Sequence, residues 1–147
     1  MANRSPRPSQ RKTGVKPIYH QLRRTLRHGT HPAQLVVYSR PFIDLLAPAD
    51  QHPGKPIEER AVIAEEYLRA IVRRIGGTDA QALAIFLGLA PGYTKTTVAY
   101  RRKAAAQQLG IQPDTFRRPR HERMLLLQVA MEIYRKQRPL ADTRECA

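Results

Sequence analysis

Apolar positions along the chain recur at spacings of three and four, the period of helices that pack by one face. The clearest case is Ile57, Ala61, Ala64, Leu68, Ile71 and Ile75, a stripe about five turns long. Pro56 stands at its first turn with Glu58 and Glu59 near the positive end of the helix dipole. Arg73 and Arg74 lie near the negative end, and Gly76-Gly77 stop the helix. The stripe reads as core packing, with a homodimer seam as the alternative. From Pro17, the residues Ile18, Leu22 and Leu26 recur every four positions, predicting a short helix with Arg23, Arg24 and Arg27 outside and Gly29 at its end.

The remaining elements follow the same logic. Residues 31–47 predict a helix interrupted near Pro41, giving Val36, Val37, Phe42, Leu45 and Leu46 to the core. Its LVVYS segment would also suit a strand, but no partner strand is evident. Pro48, Pro53 and Gly54 mark a loop. Thr78-x-x-Gln81 reads as a capping box opening a helix through Leu89, with Leu83, Phe86 and Leu87 inward. Ala90-Pro91-Gly92 closes it, and Thr96 or Thr97 caps a long helix to Gly110. A final helix over His121–Gln137 carries Met124, Leu127, Met131 and Tyr134 on one face, widened by Leu125, Leu126, Val129, Ala130 and Ile133. Such a width implies deep packing or an oligomer contact, and Pro139 ends the element. Residues 1–16 are polar, basic and dotted with proline, which reads as a disordered arm. The expectation is one all-α domain over residues 17–147, a bundle of six or seven helices with a tri-helical, helix-turn-helix-like unit at about 79–127.

That unit carries the chain's one functional spacing. Ala106, Gly110 and Phe116 fall where a helix-turn-helix needs a small residue at the helix crossing, a glycine in the turn and an apolar anchor beyond it. Leu109, Ile111 and Phe116 would pin the two helices. Gln112 is placed to cap and Pro113 suits the first helical position. Pro119 limits the second helix to about two turns, with a kink or fresh start there, because a proline removes a helical hydrogen bond.

Charge sharpens this picture. The formal net charge is +14 over 147 residues. Residues 1–30 hold eight Lys/Arg and no acid, 31–94 are almost neutral, and 95–138 hold eleven basic against three acidic residues. Two basic blocks thus flank a neutral core, a distribution that attracts nucleic acid first and an anionic membrane or acidic partner second. The longest apolar runs fall far short of a membrane span. The basic N-terminus lacks the apolar core of a secretory signal. It shares the acid-free character of mitochondrial presequences, but Pro6, Pro8 and Pro17 interrupt a long amphipathic helix.

Catalytic chemistry is not advertised. GLAPGYTKTT has its glycines too close and its lysine misplaced for a phosphate-binding loop. His28 and His31 could share a site, but no carboxylate or cysteine stands by to complete a metal shell. Cys146 is the single cysteine, so no internal disulfide framework or cysteine metal site exists. No enzyme activity, metal or cofactor is expected.

Residues 79–127 resemble the tri-helical helix-turn-helix of sigma-factor region 4, on a helix ending FLGL, a glycine-containing loop, a helix ending LGI and a Thr/Arg-bearing helix. They are also similar to short helical modules of actinobacterial regulatory and multidomain proteins, which read G-L-x-P-G, a Thr-rich cap, an Arg/Ala-rich helix, L-G-I and T-F-R-R. The resemblance implies that Gln112, Thr115, Arg117 and Arg118 face the major groove, with Arg101, Arg102 and Lys103 at phosphates. Arg120 and Arg123 join the phosphate set through their charge. The leading expectation is a cytoplasmic, nucleoid-associated regulatory protein that binds duplex DNA. The alternative is an adaptor that binds a protein partner through the apolar face of residues 124–134.

Overall fold

The computed structural model describes residues 14–137, and these are all-α. Eight helices follow in order: α1 Val15–His28, α2 Pro32–Tyr38, α3 Arg40–Leu46, α4 Ile57–Ile75, α5 Gly77–Phe86, α6 Val98–Leu109, α7 Pro113–Arg117 and α8 Pro119–Gln137. A short 3-10 turn, Ala49–Gln51, lies between α3 and α4. The arm expected over residues 1–16 falls mostly outside the described residues, although Val15 and Lys16 already belong to α1. Pro139 and Cys146 also lie outside them.

Two helices organise the bundle. α4 packs against α2, α3, α5 and α8, and α8 against α1, α4 and α7. On α4 the residues Ala61, Ala64, Leu68 and Ile71 are fully buried, so the stripe is core. Its polar face works as fastening: the Arg60 guanidinium donates to the Asp44 carboxylate and the Ala47 carbonyl, both at 3.0 Å, tying α4 to α3 and the residue after it. Arg69 donates to the Leu89 carbonyl at 2.9 Å, tying α4 to the end of α5. α1 buries Ile18, Leu22 and Leu26 as the four-residue spacing requires.

Four local expectations are corrected. The interruption expected near Pro41 falls at Ser39, between α2 and α3, but Val37 is 69% exposed rather than core. Thr78 and Gln81 form no capping box, because α5 starts directly at the Gly76-Gly77 corner and Gln81 instead accepts from Gln108 on α6 at 2.6 Å. α5 ends at Phe86, three residues early, where Gly88 takes a φ of +80° and the Leu89 and Ala90 amides both turn back to the Ala84 carbonyl. On α8 the buried face is Leu125, Leu126, Val129, Ala130 and Ile133, while Met124, Met131 and Tyr134 are exposed. Both sets are apolar, so periodicity alone does not choose between them.

Candidate nucleic-acid interface

The α6–α7 segment has the geometry that its punctuation requires. The Thr97 hydroxyl caps α6 by accepting from the Tyr100 amide at 3.1 Å. Gly110 terminates α6 in the left-handed region (φ 74°, ψ 28°), where a side chain would be strained. Pro113 occupies the first turn of α7, and Gln112 precedes it without making a side-chain cap. Ala105 and Ala106 are fully buried, and α6 packs most extensively against α5. Phe116 is also fully buried, its ring edge-on to Phe86 with centroids 5.0 Å apart.

α7 is a single turn and a half. It spans five residues, Arg118 is extended, and α8 begins afresh at Pro119. The early stop expected from Pro119 is therefore complete. Gln112, Arg117 and Arg118 are exposed and Thr115 is half-buried.

The basic cluster of α6 splits into three different environments. Arg101, expected at a phosphate, is fully buried and must be withdrawn from that role. Its guanidinium donates to the carbonyls of Phe86, Thr96 and Leu26, satisfying the ends of α5 and α1 and the loop before α6. Two of those carbonyls lie at helix C-termini, where the dipole is negative, so a cation is held without a carboxylate. Burial, and secondarily the charge of Arg102, lowers its pKa from the usual arginine value. Arg102 pairs with Glu122 of α8 at 2.7 Å and lies 5.9 Å from the Phe86 ring centroid. Lys103 is exposed.

Exposed charge gathers instead where α1 meets the start of α8. Arg23 and Arg123 approach the nearly buried Tyr19 ring at 6.0 and 5.9 Å, so that one aromatic seats a cation from each helix. Beside them opens a cleft of about 950 Å³, walled by His20, Arg23, Arg24, Arg27 and His28 of α1, by Tyr38, Ser39 and Pro41, and by Val98, Arg102 and Glu122. Glu122 is the one carboxylate in that wall, and Arg102 engages it. The expected outward placement of Arg23, Arg24 and Arg27 holds, but nothing in the sequence marked them as a wall of a site. The two histidines considered together are separated in function: His31 caps α2 through Nδ1, and His28 stacks on Tyr38.

Among the described residues, Arg23, Arg24, Arg27, Lys103, Arg117, Arg118, Arg120 and Arg123 make no ion pair, and no cluster of three metal-ligating side chains is present. No described helix is long and apolar enough to cross a membrane. Comparison with protein-family models, curated proteins and solved structures yields no match.

Proposed function

We propose that this protein binds DNA, chiefly through phosphate contacts, across the surface formed by α1, the α6–α7 segment and the start of α8. The carrying observation is the set of eight Lys/Arg residues there that no carboxylate of the described residues neutralises. A surface of that kind gains affinity by releasing counterions from the phosphate backbone. Gln112, Thr115, Arg117 and Arg118 are the proposed base-reading residues, a reading supported by the exposure of Gln112, Arg117 and Arg118. A helix as short as α7 offers few such contacts, so sequence preference is expected to be modest.

The test is binding to a mixed-sequence duplex as salt is raised. Affinity should fall steeply, with a slope in log–log terms of about −0.9 for each phosphate neutralised. Arg117→Ala should relax sequence preference in a selection from random duplexes, while Arg120→Ala should weaken all sequences alike. Absence of binding at low salt would overturn the proposal. A second reading, an adaptor for a protein partner, is favoured by the exposure of Met124 (55%), Met131 (47%) and Tyr134 (40%) along one side of α8. Binding through that face would be nearly insensitive to salt.

A further inference from the structure

We infer that the cleft between α1, the α2–α3 junction and α6 takes an unpaired stretch of nucleic acid, one base stacking on Tyr38 and the backbone running along Arg23, Arg24 and Arg27. The inference rests on the nucleic-acid reading above and narrows it to the form of strand that this site accepts.

Two observations converge. First, the site is concave and cationic, whereas a duplex is convex and hides its base faces in its own stack. A cleft of this size suits one strand, and Arg23 to Arg27 spread charge over about 6 Å of helix axis, more than one phosphate requires. Second, an aromatic platform stands in the cleft wall. The His28 and Tyr38 rings lie 4.0 Å apart and 9° from parallel, and Tyr38 remains 59% exposed despite that covered face. Each ring ends its helix, α1 or α2, so the platform is held by packed elements rather than by a free loop. A π-face flanked by guanidinium groups is the combination that single-strand binders use, because every base can stack and every linkage carries charge.

The experiment measures fluorescence anisotropy of a labelled thymidine 12-mer and of a mixed-sequence 12-base-pair duplex at ~50 mM salt. It compares the unaltered chain with Tyr38→Ala, Tyr38→Phe and the double change Arg23→Ala/Arg24→Ala. Tyr38→Ala should weaken single-strand binding about 5- to 150-fold, the range for losing one stacked base, and leave duplex affinity within about twofold. Tyr38→Phe should retain single-strand affinity, since it keeps the ring. The double arginine change should weaken both ligands. Equal effects of Tyr38→Ala on the two ligands, or binding of the duplex alone, would overturn this inference while leaving the DNA-binding proposal standing. Binding of neither would remove both. Tyr38 is largely exposed, so its substitution should leave the helical circular dichroism unchanged.

Discussion

α1 and α4 solve the packing problem in the same way and the charge problem in opposite ways. Each buries one apolar stripe, Ile18, Leu22 and Leu26 in α1 and Ala61, Ala64, Leu68 and Ile71 in α4. The polar face of α4 holds four acidic and four basic side chains, ordered with the dipole: Glu58 and Glu59 in the first turn, Arg73 and Arg74 in the last. Its charges are also used, as in Glu65–Arg69 at 3.3 Å, Lys55–Glu59 at 3.6 Å and Arg74–Glu132 at 3.7 Å. α1 carries Lys16, Arg23, Arg24 and Arg27 with no acid at all. Like charges one helical turn apart repel, at roughly 0.2–0.5 kcal/mol per pair. Since α4 demonstrates that this fold accommodates a neutralised helix, the uncompensated face of α1 is not a requirement of folding. Under the proposed function, that face keeps its cations free for a polyanionic partner.

The largest expected effects test the shared half of the comparison. Leu22→Ala and Leu68→Ala should each destabilise by about 2–5 kcal/mol, because each removes a fully buried side chain and leaves a cavity. Matched shifts in urea midpoint would establish that both stripes carry similar weight. A loss at Leu22 within ~0.5 kcal/mol of zero would mean that α1 is a loosely attached element. Arg101→Met comes next, at about 3 kcal/mol, since it keeps bulk but leaves three main-chain acceptors unpaired. Its loss should appear in the urea midpoint first. If Arg101→Met instead left stability unchanged and weakened DNA binding alone, the structural role assigned to it here would be wrong.

These positions also mark how far the chain's own pattern reaches. The α4 stripe, the α1 stripe and the punctuation of Thr97, Gly110 and Pro113 are local signals, each decided by residues within a turn or two, and all are legible. Arg101 is not. It sits in a run of three basic residues, and its partners are carbonyls as far away as Leu26, which carry no side-chain signature. The face of α8 is likewise ambiguous, since nearly every position from Met124 to Ile133 is apolar and only contact with α1 and α4 selects the inner side. The cleft is the extreme case: Arg24, Tyr38 and Arg102 are distant in sequence and share a wall only because α1, α2 and α6 pack together.

Removing charge probes the differing half. The triple change Arg23→Ala/Arg24→Ala/Arg27→Ala on α1 should reduce the salt slope of DNA binding by about 2–3, at ~0.9 per phosphate contact. Its stability should change by less than ~0.5 kcal/mol per site, as for other exposed positions. The corresponding change on α4, Arg69→Ala/Arg73→Ala/Arg74→Ala, should reverse the pattern: the slope stays, and stability falls through the lost Leu89 and Glu132 contacts. Equal reductions in slope from both triples would point to net charge rather than to a localised surface.

The smallest effect is the most discriminating, because it gives α1 one feature of α4. His20 is exposed and lines the cleft, with Arg23 three and Arg24 four residues later. His20→Glu places a carboxylate N-terminal to both arginines, the favoured orientation for helical ion pairs, worth about 0.2–0.5 kcal/mol each. Stability should therefore rise slightly, visible as a small upward shift in urea midpoint. DNA affinity should fall at the same time, with the salt slope smaller by about 1, since a pre-paired arginine releases fewer counterions. The two measurements moving in opposite directions would mean that α1 forgoes helix stability to keep its cations available. A gain in stability with affinity untouched would show that the cations of α1 do not meet the ligand, and the interface would contract to α6, α7 and the start of α8.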